Sequence, residues 1–504
     1  MVMLLTEAAR ASAIGAEHLS LRSPVPLSLV SNGEYTPRPA SPALKRAGAA
    51  LTEHAGAMAK KLGQSAEQFL AGPAGFASAF AAMNTGFGGG FEVGRGEASD
   101  PDMAAERAGA LSKQFVFDDQ VHFLRDDADE AFFKPLTDMI ALSADLLDLP
   151  RDAGDTIDRI KFLHFLKEIY LDSDTKVALL SGAPSDDLPG WMLTNDQMAA
   201  ARTAVNRIAG ETRLLTHAVI APGHAGWLDE MDRVHETIRP DGWKGYSVGE
   251  PFGPSAHRWR LDDEALMYPA YEKLVKAGVK NLCIHKGILP EDHEDFMPGA
   301  EPFAKVDDVG KAAKDWPELN FVIYHAGYRT VPAPTEGELA RFEADGRIDW
   351  VTDLAAIPAA YGVSNIYADI GACFAFTVLT HPRLCAGLIG TLIKGLGADK
   401  VLWGTDSVWY GSPQWQIEAF RRLQMPEDLM EKHGWPDLGP ADGPLKSSIL
   451  GLNGAPLYRL DPANYADAPQ LDNLDAMRAE YVKLGGARSN MAFGYAAREE
   501  KPNG

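Results

Sequence analysis

Cysteine is nearly absent from this chain. Cys283, Cys373 and Cys385 are the three in 504 residues. That excludes a disulfide framework and a cysteine-based zinc site, and it fits a reducing compartment. Positive charge is also short. There are 48 Lys and Arg against 70 Asp and Glu, a formal charge of −22. Such a surface repels phosphate backbones and anionic lipid, so neither nucleic acid nor a membrane is an expected partner. Long apolar runs are missing too. The longest, Phe69 to Met83, has 15 residues interrupted by Gly72, Pro73 and Gly75, and a bilayer needs about 20. The apolar start from Met1 to Leu5 has no basic segment before it and meets Glu7. No secretory signal is therefore expected, and the expected location is cytoplasmic. Gly86 to Gly94 is rich in glycine but lacks the G-x-G-x-x-G spacing of a dinucleotide loop.

What remains is the composition of a globular protein. Hydrophobic residues make up 46% and charged residues 23%, enough for a large core and too apolar for wholesale disorder. Residues 1–114 read as an Ala- and Gly-rich helical extension with turn-forming Pro37, Pro39 and Pro42. Ser41 followed by Pro42 is an N-cap and first helical residue. The helix it opens runs through Leu44, Leu51 and Met58 to Leu62, with Lys45, Arg46, Lys60 and Lys61 on its polar side. The glycines from Gly86 to Gly94 predict a flexible connection.

From Phe115 the pattern changes. Short β-branched runs alternate with helical ones: "VALLS" (177–181), "RLLTHAVI" (213–220), "GWKGYS" (242–247), "KNLCIH" (280–285), "NFVIYH" (320–325), "NIYADI" (365–370) and "KVLWGTD" (400–406). Helices are predicted over 264–277 and 384–396, each stopped by a glycine. Strand–helix alternation of this kind predicts a parallel α/β architecture.

Polar residues close several of these runs. His122 follows "FVFDDQV", His285 ends the fifth run, His325 the sixth and Asp406 the last. The intervals are 163, 40 and 81 residues, or roughly four, one and two strand–helix units. Eight units closing into a (β/α)8 TIM barrel over residues 115–461 bring these strand ends to one mouth. A long insertion, 123–174, precedes strand 2, and residues 462–504 form a C-terminal tail. Converging imidazoles and a carboxylate suit a divalent metal, zinc first, with manganese or iron next. An open position on such an ion brings the pKa of water towards neutrality.

The same residues resemble a family. "FDDQVHF" is similar to the strand-1 D-x-H-x-H signature of the amidohydrolase superfamily, "VIYHAG" to its strand-6 histidine motif, and "VLWGTDSVWYGSP" to its strand-8 aspartate motif. "ILGLNGAPLYRLD" (449–461) resembles the closing helix of the amidohydrolase-related branch, which includes aminocarboxymuconate semialdehyde decarboxylase. The resemblance implies one divalent ion held by His122, His285 and Asp406, with His325 as acid/base. Gln120 stands where the first histidine of the signature is expected. Its amide oxygen is a candidate ligand, poorer than imidazole for zinc. In some members a strand-4 lysine is carboxylated and bridges two metals; Lys244 ends that run here and is read as a substrate-carboxylate anchor or a structural residue. Ser65 to Leu70 resembles a twin-arginine export segment that has lost both arginines.

Other residues carry plainer readings. His217, His224 and His257 are expected as hydrogen-bonded core histidines. Asp369 is a loop cap or a substrate contact, Arg329 a carboxylate clamp or a surface ion pair, and Trp403 and Trp409 pack the rim. "GYSVG" around Ser247 matches G-x-S-x-G, but Glu250-Pro251-Phe252-Gly253-Pro254 follows and cannot start the helix that a nucleophile elbow needs. The expected function is a metal-dependent hydrolase that directs activated water at a small ester, amide or lactone, probed best with carboxylate and aromatic substrates. A non-oxidative decarboxylase is the alternative, and a non-catalytic barrel that binds without chemistry the third reading. A homodimer is the expected assembly.

Overall fold

A computed structural model describes residues 13–14, 23–27, 41–127, 160–251, 253–290, 293–295, 297–331, 333–466, 473–483 and 497–498. The Met1–Glu7 start, Pro37 and Pro39, residues 128–159 of the expected insertion and much of the 462–504 tail lie outside them. Among the described residues no helix is long and apolar enough to cross a membrane.

Eight parallel strands form the centre: β1 (Phe117–Val121), β2 (Val177–Leu180), β3 (Leu214–Val219), β4 (Gly242–Tyr246), β5 (Asn281–His285), β6 (Asn320–Tyr324), β7 (Ile366–Asp369) and β8 (Val401–Leu402). Each pairs with its neighbour in sequence order. Most strand positions are apolar because a strand between a filled interior and a helical layer is buried on both faces. Val177–Leu180 and Leu214–Val219 are buried at every position. The ring closes between β1 and the residues after β8. Asp119 N donates to Trp403 O (2.9 Å), Asp406 N to Gln120 O (2.9 Å) and His122 N to Ser407 O (2.6 Å). This is the TIM barrel that the spacing predicts. Every predicted run holds its strand, but regular pairing in the last covers two residues, and Trp403–Asp406 continue as an irregular segment. The helix predicted from 264 begins at Tyr268, and the one predicted from 384 begins at Pro382.

The extension is helical: α1 (Pro42–Leu62), α2 (Ala66–Ala71), α3 (Ala74–Phe87) and α4 (Pro101–Leu111). Ser41 Oγ accepts from Leu44 N as the N-cap of α1. Ser65 does the same for α2 in a reciprocal box with Gln68, while Phe69 and Leu70 are buried. The stretch resembling an export segment is thus a capped helix start. α1 packs on α3 so closely that a Cβ at Gly86 would lie 2.4 Å from Ala43 O.

The glycine-rich stretch is not the flexible connection predicted from it. Asn84 exchanges two side-chain hydrogen bonds with the backbone of Phe91 (2.8 and 3.0 Å). Glu92 N donates to Arg422 O and Gln424 N to Gly90 O (2.7 and 2.9 Å). Backbone pairing to the segment after the helix Gln414–Arg422 holds what composition alone reads as loose.

Buried charges tie the extension to the barrel at that helix. Arg422 pairs with Glu97 (2.5 Å) and Glu418 (3.3 Å), and Arg107 reaches Glu418 at 3.1 Å. Burial pushes the Glu97 and Glu418 carboxyls up, but the adjoining arginines outweigh it and hold both below the ordinary 4.5. Removing one partner leaves the others charged in a dry interior, at a cost of about 3–5 kcal/mol. We expect Arg422→Met to lower the urea midpoint by an amount corresponding to that range. Carboxyls with depressed folded pKa values stabilise the fold above about pH 4.5 and lose that contribution as pH falls through the folded values. The variant's destabilisation relative to wild type should therefore shrink on acidification below pH 4.5, which urea melts across pH 3–7 would measure.

Candidate active site

The mouth collects its residues through bent strand ends. His325 and Asp406, each just past its strand, adopt positive φ values of 64° and 60°. Such backbone is costly for any residue with a Cβ, though His and Asp tolerate it better than most. The bends start turns that end the strands. Ser181 and Thr405, immediately beside the site, contribute backbone and hydroxyl partners to it.

Two contact groups result. In the first, His122 Nε2 lies 3.0 Å from Asp406 Oδ1. Gln120 Nε2 donates to the same oxygen at 2.8 Å and lies 3.4 Å from His122 Nε2. In the second, His285 Nδ1 and His325 Nε2 are 3.0 Å apart. The tautomers follow from the remaining partners. His122 Nδ1 faces Ser181 O at 2.7 Å, and His325 Nδ1 faces Gly371 O at 2.9 Å. A carbonyl only accepts, so both Nδ1 atoms donate. In the neutral rings, His122 Nε2 and His325 Nε2 present lone pairs. His285 Nδ1 therefore donates to His325, which leaves His285 Nε2 as a lone-pair donor for a cation.

His122, His285 and Asp406 do not all bring donor atoms within 4.8 Å of one another; among the described residues the one group of three that does is elsewhere. The chemistry of the set still fits a divalent ion. A lone pair and a carboxylate oxygen at 3.0 Å need positive charge between them, which the Gln120 amide N–H groups now supply in part. Gln120 Oε1 is buried without a hydrogen-bond partner, so the carboxamide has an unsatisfied hard donor at this spot.

Beneath this layer the interior is ionisable. Asp118 accepts from Thr405 Oγ1 (2.5 Å) and Thr405 N (2.9 Å). Burial nevertheless pushes its carboxyl up to about 8. Asp119 and Asp369 lie side by side, and burial raises both, Asp369 to about 6 and Asp119 further because it also meets the charge of Asp369. Two such carboxyls share one proton, carried by Asp119. Burial and the adjoining His122 imidazole act oppositely on Asp406, and the second prevails: its carboxyl stays below 3.8. Burial lowers His325 to about 4, keeping it neutral at pH 7.

Several predicted residues sit differently from expectation. Lys244 lies mid-strand rather than at a strand end, wholly buried, with Nζ 3.3 Å from the Tyr324 ring centroid and no hydrogen bond. Burial lowers it to about 8. Arg329 is engaged by Glu338 at 3.6 Å and Glu301 at 3.9 Å, the surface pairing among its two readings. His217 is buried, but both ring nitrogens lack partners, so it is not the hydrogen-bonded core histidine expected. His224 and His257 are not core at all; they are half-exposed rim residues whose rings stack at 3.9 Å. Ser247 donates to Phe303 O (2.7 Å), consistent with its dismissal as a nucleophile. Trp403 is buried against Phe374 and Phe420, and Trp409 stacks on His122 at 6.0 Å. Asp118 and Asp119 were overlooked by sequence reasoning; the paired acids inside an otherwise apolar first strand were the signal.

The sequence matches the amidohydrolase family over residues 117–460. No curated protein matches it. Among solved structures, it is similar to an uncharacterised TIM-barrel protein of Bordetella bronchiseptica, at 15% identity and a TM-score of 0.42, over 68% of this chain and 98% of that one. It is also similar to 5-carboxyvanillate decarboxylase of Sphingomonas paucimobilis, at 17% identity and a TM-score of 0.40, over 69% and 100%. A third is a manganese-bound dihydroxybenzoic acid decarboxylase of a Polaromonas species, at 14% and 0.37, over 69% and 97%.

Gly404 is what lets the carboxyl layer form. A Cβ there would lie 2.1 Å from Asp369 Oδ2 and 2.9 Å from Asp119 Oδ1. We expect Gly404→Ala to destabilise by about 1–3 kcal/mol through overpacking, read as a lower thermal midpoint. Metal affinity should fall with it, since the strand carrying Asp406 must shift; isothermal titration with manganese checks this.

Proposed function

Because this chain belongs to the amidohydrolase family, we propose that it is a metal-dependent hydrolase of small esters, amides or lactones. His122 and Asp406 would hold a divalent ion, with His285 Nε2 completing the set and Gln120 adjoining it. Zinc suits the two imidazoles best, and manganese or iron are compatible with the carboxylate. The ion supplies Lewis-acid polarisation of a water or substrate oxygen. The protein supplies the proton acceptor. Ser181 O and Gly371 O hold His122 and His325 in tautomers that keep Nε2 basic, and burial keeps His325 neutral at pH 7.

That fixed, proton-accepting His325 is the observation that carries the hydrolase reading. Hydrolysis needs a base to take a proton from water. Loss of carbon dioxide from an aromatic acid needs instead a donor to protonate the ring carbon. In the structure the His325 Nε2 lone pair accepts from His285 Nδ1 at 3.0 Å, so His325 would take a proton from water once that hydrogen bond opens. Lys244 and Arg329, both considered as substrate anchors, are occupied by Tyr324 and by carboxylates respectively, which leaves substrate orientation to the ion and the rim loops.

The test is reaction of the reconstituted full-length protein with a panel of lactones, esters and aromatic acids in ¹⁸O-labelled water. We expect label in the product and no carbon dioxide; carbon dioxide without label would replace the hydrolase with a carboxy-lyase. His325→Asn should keep its metal and lose about 10²–10⁴-fold in the chemical step, the usual contribution of a positioned acid/base. Asp406→Asn should instead lose metal, measured by elemental analysis alongside a circular dichroism melt. Loss of metal in His325→Asn would make His325 a ligand and move the base elsewhere.

A further inference from the structure

Asp186, His224 and His257 lie outside the strand-end set, on the loops that follow β2, β3 and β4. Their ligand atoms all lie within 4.8 Å of one another, and all three side chains are half-buried. The two rings stack at 3.9 Å between centroids, inclined by 34°, and neither makes a hydrogen bond to another described residue. We propose that these three residues form a second divalent-metal site, on the rim of the barrel and separate from the central His122–Asp406 group.

The loops are built to present this set. Asp186 Oδ1 accepts from Ser255 Oγ at 2.6 Å and Oδ2 from Ala256 N at 2.8 Å, while Ser255 Oγ accepts from His257 N at 3.0 Å. One carboxylate therefore folds the 255–257 turn back on the β2 loop and sets His257 beside itself. Ser185 Oγ and Asp186 N both donate to Glu250 Oε2, at 3.0 and 3.3 Å, locking the same two loops a second time. Each Asp186 oxygen keeps a free lone pair, and these hydrogen bonds orient it as outer-shell partners orient a ligating carboxylate. Donors about 2.0–2.2 Å from a common ion stand about 3–4 Å apart, so small side-chain rotations close the set.

Two imidazoles and one carboxylate select a borderline transition metal of the zinc class over magnesium or calcium, which prefer all-oxygen shells. Three protein ligands leave at least one position open. Asp186 and His224 also line a cleft of about 670 Å³ bounded by Trp191, Asn195, Trp227 and Trp243, which gives that open position room for a ligand. A metal here would staple three consecutive loops of the mouth.

Cobalt(II) titration of the chelator-treated full-length protein tests this, followed by visible absorption, with zinc-dependent thermal shift as a second readout. In the Asp406→Asn background, which weakens the central group, one equivalent of cobalt should still bind with d–d bands of histidine ligation. Zinc should still raise the melting midpoint. Adding His257→Ala or, separately, His224→Ala should abolish both responses, with an affinity loss of at least about 100-fold. In otherwise wild-type protein either rim substitution should remove one equivalent. The proposal is overturned if Asp406→Asn removes all cobalt binding, or if the stoichiometry and zinc shift are the same with and without His257 and His224.

Discussion

The seam between the first strand and the segment after the eighth is the constraint on which the site depends. Backbone hydrogen bonds cross it from Asp119 to Trp403, from Asp406 to Gln120 and from His122 to Ser407. Residues nearly 290 positions apart thereby become neighbours, and His122 meets Asp406. The Asp118 carboxyl reinforces the joint by accepting from both the backbone and hydroxyl of Thr405. It also accepts from Gln120 N at 3.3 Å, so one side chain spans both edges of the seam. An acid at this position therefore serves closure as much as chemistry. Burial nonetheless pushes its carboxyl up to about 8.

Much of this was legible in the sequence. The eight runs marked eight strands in order, because burial on both faces leaves a mostly apolar signature that needs no partner information. Ser41-Pro42 marked its helix start for a local reason, the side-chain cap. His122, His285, His325 and Asp406 stood out by their spacing at strand ends and by their resemblance to family motifs, and the structure sets His122 against Asp406 and His285 against His325. What escaped was whatever depends on partners distant in the chain. Glycines 86–94 read as loose because composition cannot reveal that Arg422 and Gln424 pair with them. Lys244 read as a strand-end anchor because a one-residue difference in register decides whether a side chain faces the mouth or the interior. His224 and His257 read as core because nothing local tells that they meet each other beside Asp186 on the rim.

The interior below the mouth is an electrostatic problem with an identifiable shape. Asp369 and Asp406 are the carboxyls held ionised at neutral pH, while Asp118 and Asp119 keep protons. Lys244 is the buried cation nearest them, and burial lowers it to about 8, so its charge is itself poorly held. It rests on the Tyr324 face rather than on a carboxylate, and Tyr324 in turn donates its hydroxyl to Asp119 O at 2.5 Å. Two carboxylates against one weakly held ammonium leave the barrel short of positive charge. The divalent ion proposed at His122 and Asp406 would correct that shortfall beside the ionised carboxylate.

The mouth is divided by topology into two halves. Strands β1, β5, β6 and the segment after β8 carry the central group, whereas the loops after β2, β3 and β4 carry the rim set. In a barrel whose strands pair in sequence order, three consecutive loops are necessarily adjacent, so the rim set needs no long-range closure to assemble. The central group needs the seam. A defect at the seam, such as a crowded Gly404, must therefore disturb His122 and Asp406 while leaving intact the hydrogen bonds that Asp186 accepts from Ser255 and Ala256. Conversely, loosening the 255–257 turn leaves every hydrogen bond around His122, Asp406, His285 and His325 in place. Each half of the mouth thus rests on its own hydrogen bonds, and the fold can change one without rebuilding the other.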